Sequence, residues 1–415
     1  MRAPGRIDTG GDRAISAALA EAFLAAASDD VVAESLTHPV HSYPARLHPA
    51  TARALVELIG DRVPTGAALL DPFCGSGTTL VEARALGVPA VGVDLNPLAV
   101  RLARVKTWTA PVPRRRAARD LGLRIAADVM ASGKDARRAG FSPQPMRAPD
   151  GFDPNARQRR IGKWFAPHVR RELEAIAAAI DEVRADDAEL AEVFTIALSA
   201  VLYKVSNRTS DTDGTWTERH VARGAAARWF GDRVAMIIAG LDDLAVGRMP
   251  PTPVFEADAR TLTSLALPKI GGVITSPPYA GTYDYADHHR LRFDFLGIRH
   301  RAFDEGELGS RRGFASNSLE AARQWKAAQF AWLGGVADVM MPRAWAAFVI
   351  GDSVVGARAI YADEDLQAVF DDRLAVVAWA SQERPMLGAA ERRAFGDRPK
   401  REHVVIVERR ADPGP

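Results

Sequence analysis

Two short segments carry residue types and spacings able to do chemistry. In DPFCGSGTT, residues 71–79, Asp71 ends an apolar run, and Gly75 and Gly77 follow, so bare backbone can pass close to a ligand beside a carboxylate. In TSPPY, residues 275–279, the apolar run GGVI leads into Pro277 and Pro278, which have no N–H to donate and hold the chain extended. The Ser276 hydroxyl and the carbonyls of Ser276 and Pro277 then face outward as fixed hydrogen-bond acceptors, and Tyr279 offers a flat face for a heterocycle. That set suits a substrate bearing an exocyclic NH2 group. Taken alone, a G-x-G is a tight turn, and Ser-Pro-Pro-Tyr is a strand end with its tyrosine in a core. A third feature joins them: Asp94 closes the run VPAVGVDL, where an acidic side chain holds the ribose hydroxyls of a nucleoside.

Several chemistries are excluded or disfavoured. Gly77 is followed by Thr78 and Thr79 rather than by Lys-Ser/Thr, so the turn is not a triphosphate-binding loop. Cys74 is the only cysteine and belongs to the glycine turn, so there is no disulfide, no cysteine zinc site and no Pro-Cys nucleophile for attack on cytosine C5. His288 and His289 are adjacent and point to different faces of a helix, and DTDG (211–214) lacks the remaining ligands of a calcium loop; no metal is expected.

The elements that position these motifs alternate. GAALLD (66–71), the turn, the helix TTLVEARAL and VPAVGVDL (88–95) form a β-α-β unit of the dinucleotide-binding type. PVFEADA (253–259), GGVITSPPY (271–279), WAAFVIGDS (345–353), RLAVVAWAS (373–381) and EHVVIVE (402–408) bring the strand count to seven. Between the second and third strands lies a helical insertion, in which Val169, Leu173, Ile176, Ile180 and Val183 recur at helical spacing and FTIALSAVLY (194–203) reads as a buried core helix. The expected fold is α/β, a Rossmann-like seven-stranded sheet with an α-helical insertion. Its expected parts are an N-terminal helical extension (1–37), a cofactor-binding first part (38–107), a helical and partly basic insertion (108–250) and a second part with the catalytic motif (251–415).

The chain has 415 residues, 47% hydrophobic and 26% charged, an ordinary globular mix with a net charge of +2. Residues 101–170 hold 17 Lys and Arg against 5 Asp and Glu, which predicts a surface facing a polyanion, with Arg114, Arg115 and Arg116 at its densest point. The polar run 206–216 is a second candidate for that face. Residues 14–28 imitate a signal peptide, but Asp8 and Asp12 precede them and Glu21 interrupts them, so an amphipathic helix and a cytosolic protein without membrane spans are expected.

With these motifs in hand, the sequence resembles the S-adenosylmethionine-dependent amino-methyltransferases of DNA, closest to their cytosine-N4 branch. DPFCGSGTT is similar to the family's cofactor turn, GVDLNPLA (92–99) to its ribose-binding strand end, EADAR (256–260) to the segment that meets the adenine ring, and TSPPY to the catalytic motif in its Ser form. HSYPARLHPATARALVELI (41–59) resembles the segment that closes over the methionine part, with His41, Pro44, Ala45 and Arg46 matching best. The resemblance implies catalytic Ser276, Pro277, Pro278 and Tyr279. It implies cofactor contacts from His41, Pro44, Asp71, Pro72, Phe73, Cys74, Gly75, Ser76, Gly77, Thr78, Thr79, Asp94, Leu95, Asn96, Asp258, Ala259 and Thr275. Tyr279, Tyr283 and Tyr285, together with Arg114, Arg115 and Arg116, would meet the DNA, and a cognate restriction endonuclease is a candidate partner. Adenine-N6 enzymes of this type more often carry Asp or Asn in place of Ser276. A tRNA guanine-N2 methyltransferase shares the order of motifs, and a non-catalytic nucleic-acid-binding subunit is a further alternative. The insertion matches no target-recognition domain.

Overall fold

The computed structural model describes residues 5–28, 30–135, 161–208, 215–245, 251–316, 318–370, 372–386, 388–396 and 398–411. The Arg-rich stretch 136–160 and the DTDG turn lie outside the described residues.

An eight-stranded sheet organises the chain, built from β1 (Ile7–Gly11), β2 (Ala68–Asp71), β3 (Ala90–Asp94), β4 (Val254–Glu256), β5 (Ile270–Thr275), β6 (Met340–Gly351), β9 (Leu374–Glu383) and β10 (Arg401–Arg409). Its order is β1-β9-β10-β6-β5-β2-β3-β4, and a separate hairpin pairs β7 (Ser353–Val355) with β8 (Arg358–Ile360). The strands from β4 to β6 are parallel, and β10 enters antiparallel between β6 and β9. The chain winds outward in opposite directions from β2 and β5. This pair is therefore the switch point where an α/β sheet opens a crevice at its strand ends.

One correction concerns the N-terminus. Residues 1–37 are not purely helical: Ile7–Gly11 adds an eighth strand, antiparallel to β9, before α1 (Arg13–Ser28) begins.

Side-chain alternation explains why the strands are where they are. Leu69, Ala347, Val349, Val404 and Ile406 pack on one face with Leu55, Val56 and Ile59 of α2 (Pro49–Gly60) and Leu80 of α3 (Thr78–Ala85). Leu70, Ala346, Phe348, Val405 and Val407 pack on the other with Trp332, Leu333 and Val336 from the 318–339 helix. Strands covered on both faces read as unbroken apolar runs.

The insertion follows α4 (Pro97–Lys106) and comprises α5 (Val112–Asp135), α6 (Pro167–Asp186), α7 (Ala188–Leu202) and α8 (Ala225–Leu244). Asp187 caps α7 by accepting from the Leu190 N–H at 3.0 Å. The insertion core takes in Leu98 and Leu102 of α4 as well as Ala286, Leu291, Phe293, Phe295 and Phe303, which come after TSPPY in the sequence. One apolar cluster thus fastens the insertion to both halves of the sheet domain.

Among the described residues of the expected polyanion face, Arg114 and Arg115 are engaged within the fold, which corrects their assignment. Arg114 donates to both oxygens of Asp187 at 3.0 Å and pairs with Glu189. Arg115 is buried, pairing with Asp242 and donating to the Ala110 carbonyl. Arg116 alone of the three is exposed. Clustered charge in sequence carries no information about partners that lie 70 to 130 residues away in the chain. Arg115→Ala should therefore cost about 1–3 kcal/mol of stability by stranding a buried carbonyl and a carboxylate. Nucleic-acid affinity should change little, which denaturant titration and binding isotherms check together.

Among the described residues no helix is long and apolar enough to cross a membrane.

Candidate active site

The crevice at the β2/β5 switch point is built from the glycine turn upward. Gly77 sits at φ +84°, as the residue before α3, and a Cβ there would meet Cα and Cβ of Ala103 at 3.0 Å, so only glycine lets α4 approach the turn. The Gly75 N–H donates to Asp94 Oδ2 at 2.8 Å, and the Asn96 N–H donates to Asp94 Oδ1 at 2.8 Å. The acid at the end of β3 thus braces the turn at the end of β2. Asp71 accepts from the Thr275 hydroxyl at 2.7 Å, which ties the cofactor-type turn to the strand end carrying Ser276. Burial pushes the carboxyl groups of both Asp71 and Asp94 up to about 6.

Into the same cleft project Asp71, Gly75, Ser76, Thr78, Asp94, Asp258, Ser276 and Pro278. Pro72, Phe73, Cys74, Thr79, Leu95, Asn96 and Ala259 complete the wall expected from sequence. Other expected residues stand behind it. Thr275 is buried as the clamp on Asp71, and Gly77 shapes the turn without lining the cleft. His41 and Pro44 do not line it either, a further correction. His41 is buried and bonded to Ser199 Oγ at 3.0 Å, and its place in the wall is taken by Tyr43, Ala45, Arg46 and Leu47. Tyr43 is held there by Asn96 Nδ2 at 3.2 Å and by ring contacts with Tyr285 and His289.

Tyr279 also lies outside the cleft lining. Its ring rests on β6, where a Cβ on Gly351 would come within 2.6 Å of it. Its hydroxyl is 3.4 Å from Ser276 Oγ and 3.5 Å from Glu402 Oε1, with Glu402 in turn paired to Arg384. Tyr285, rather than Tyr279 or Tyr283, presents its ring to the cleft.

Sequence reasoning missed one wall altogether. Phe303, Gly306, Glu307 and Leu308 close the cleft over Leu95, and nothing in RAFDEGEL marks them as site residues. Glu307 Oε1 accepts the Tyr285 N–H at 2.6 Å, and burial pushes its carboxyl up to about 7.

The chemistry of this lining fits S-adenosylmethionine. Asp71, Asp94, Asp258 and Glu307 suit a ligand with two cationic centres and ribose hydroxyls, and Arg46 supplies the one cation for a carboxylate. Leu95, Phe73 and Phe303 offer apolar walls to a flat ring, while Asp258 is itself held by the Arg260 guanidinium and backbone N–H. Thr78 Oγ1 is buried in the lining with no hydrogen-bond partner among the described residues, and a polar ligand would supply one.

Behind the turn, Lys106 is fully buried, its amine 3.4 Å from Ser76 Oγ, and burial lowers it from 10.5 to about 7. Between those values the unfolded chain holds a proton that the folded chain lacks, so stability rises with pH across that window and the penalty is fullest below pH 7. Lys106→Met should raise the melting temperature by several degrees at pH 6 and by little at pH 10; equal shifts at both would contradict this electrostatic origin.

A cluster of Asp352, Asp363 and His403 elsewhere has the donor types of a metal site. Its atoms are engaged with one another and with the Ala362 and Arg401 N–H groups, Ser381 and Arg398.

Fold and cleft together define a Rossmann-like α/β domain with a ligand crevice at its switch point, and comparison with known proteins finds similarity to methyltransferases. Residues 38–127 match the family described as RMKL-like, methyltransferase domain. Type II methyltransferase M.MvaI of Kocuria varians is 34% identical over 175 residues, which is 42% of this chain and 35% of that protein. Type II methyltransferase M.MjaII of Methanocaldococcus jannaschii is 22% identical over 379 residues, 73% of this chain and 68% of that protein. A tRNA (guanine(10)-N2)-dimethyltransferase of Methanothermobacter thermautotrophicus is 46% identical over 54 residues, 13% of this chain and 16% of that protein. The match to M.MvaI thus spans about a third of that relative's length.

Proposed function

We propose that this chain is an S-adenosylmethionine-dependent methyltransferase acting on an exocyclic base amine in DNA, with cytosine N4 as the acceptor. The observation that carries this reading is that Ser276 and Pro278 line the same cleft as Gly75, Ser76 and Asp94. Bound S-adenosylmethionine supplies an electrophilic methyl group on its sulfonium. The chain's own residues must make a poor nucleophile competent, because the amine lone pair is delocalised into the base. Ser276 Oγ, with the strand-end carbonyls stiffened by Pro277 and Pro278, accepts the amine hydrogens and so localises the lone pair toward the glycine turn. Tyr279 and Glu402 stand behind Ser276. The Tyr279 hydroxyl donates to Glu402 Oε1, leaving the tyrosine oxygen to accept from the Ser276 hydroxyl and the Ser276 lone pairs turned to the substrate. A target base in a duplex must be flipped out to reach this point, and Tyr285 is the ring positioned to receive it.

The Ser form of TSPPY supports cytosine over adenine through the resemblance described above. The short, strong similarity to a tRNA guanine-N2 enzyme supports a second reading, transfer to RNA. Incubating the protein and methyl-labelled cofactor with equal masses of duplex DNA and tRNA separates the two. Label is expected in the DNA; label in tRNA alone would move the acceptor to RNA. If the DNA reading holds, a cognate endonuclease is the natural functional partner.

A further inference from the structure

Next to the cleft, and sharing Tyr43 and Arg46 with it, runs a second groove lined by Tyr203, Lys204, Arg219 and Arg233. Among the described residues Glu34 is the one carboxylate in its lining. Lys204 is exposed and its ammonium lies 4.4 Å from the Trp229 ring centroid, while Arg233 donates to the Pro39 carbonyl at 2.9 Å, which fixes one wall of the groove. Tyr203 of the groove wall leads to neighbouring aromatic side chains. Tyr203 meets Trp164 edge-on at 5.9 Å, and Trp164 packs against Trp216 at 4.8 Å. The Arg208 guanidinium lies 5.2 Å from Trp164 and 5.5 Å from Trp216. Trp216 is 51% exposed, among the most open large apolar side chains described. The Tyr203 hydroxyl also donates to the His288 carbonyl at 2.7 Å, so this surface is anchored to the segment that follows TSPPY.

Resting on the reading proposed above, we infer that this groove, and not the Arg114–Arg116 cluster, carries the polynucleotide strand that flanks the target base. Three properties point to that ligand. Among the described residues of this lining, four cations (Arg46, Lys204, Arg219 and Arg233) outnumber the carboxylate of Glu34, a balance that suits phosphates, whose counterions are released on binding. An exposed indole steadied by a guanidinium suits the face of a base and has no use for an acidic protein surface. Shared walls mean that a base entering at Tyr285 and Ser276 has its own backbone lying toward Arg46 and Lys204. Lys204 and Arg219 then serve as phosphate contacts, and Trp216 as a stacking platform at the far end.

The test measures binding of a fluorescent 30-base-pair duplex, the same strand unpaired, and a tRNA across a salt series. It compares the wild type with Lys204→Ala/Arg219→Ala, Trp216→Ala and Arg116→Ala. Cofactor affinity, read by calorimetry, reports whether each variant is folded. The double variant is expected to flatten the salt slope by about 1.4–1.8, that is 0.7–0.9 per phosphate contact. Trp216→Ala is expected to weaken binding roughly 5- to 100-fold, with the slope nearly kept. Arg116→Ala should do neither. These losses are expected with the duplex, and losses confined to tRNA would overturn DNA as the occupant of the groove. Unchanged slope and affinity in folded variants, with the wild type binding normally, would overturn the groove and leave the proposed function standing. A wild type that binds none of the probes would overturn both.

Discussion

Replacing Ser276 with Ala is expected to lower turnover by about 10²- to 10³-fold while leaving cofactor affinity within about two-fold. The magnitude is that of removing one preorganised polar group aimed at developing charge in a dry site. The split follows from the division of labour at the end of β5. Thr275 is the residue bonded to Asp71 and hence to the cofactor side, whereas Ser276 faces the cleft with its hydroxyl beside that of Tyr279. Loss of an interaction realised only as the amine rehybridises lowers kcat; loss of uniform binding raises KM instead. Single-turnover rates and calorimetric cofactor titration measure the two separately. Equal losses in both would mean that Ser276 is part of the cofactor wall and not the acceptor.

The second large effect is expected at Asp94. Its carboxylate receives the N–H groups of Gly75 and Asn96, so Asp94→Ala strands two partly buried donors, each at about 1–3 kcal/mol, and removes the acceptor for the ribose hydroxyls. Cofactor affinity should fall about 100-fold or more. The pH dependence gives a second readout. Asp94 and Asp71 both titrate near 6 in the free protein, and a cationic, hydroxyl-bearing ligand prefers them ionised. Affinity of the wild type should therefore rise between pH 5 and pH 7 and level off above, and the rise should be shallower in the variant. An Asp94→Ala protein that binds cofactor within about three-fold of wild type would remove this residue from the site.

The sequence made the two chemical motifs legible because both are written in backbone constraints. Glycines at 75 and 77 and prolines at 277 and 278 act locally, and the strands that carry them are apolar on both faces, so their pairing at the centre of a sheet follows from burial. Other features depend on contacts that no local pattern encodes. The strand IDTGG is short, polar and contains two glycines, and it is a strand only because β9 offers an open edge. In the segment 41–47 the family resemblance pointed to His41, Pro44, Ala45 and Arg46; Ala45 and Arg46 line the cleft with Tyr43, whereas packing against Ser199 of α7 holds the His41 ring away from it. Glu307 arrives from more than 200 residues beyond the glycine turn on a stretch without periodicity or motif. The basic cluster is the most instructive case. Its charge excess is real, but Arg114 and Arg115 were matched to Asp187, Glu189 and Asp242 by tertiary structure, while the cations lining the groove beside the cleft are dispersed along the chain.

The most direct measurement is nucleoside analysis of duplex DNA after incubation with the protein and methyl-labelled S-adenosylmethionine. N4-methyldeoxycytidine is the expected labelled product, present with the wild type and nearly absent with Ser276→Ala. Label confined to N6-methyldeoxyadenosine would contradict the assignment of the acceptor base, and no labelled nucleoside at all would contradict the pairing of a methyl donor at Gly75 with an amine held at Ser276.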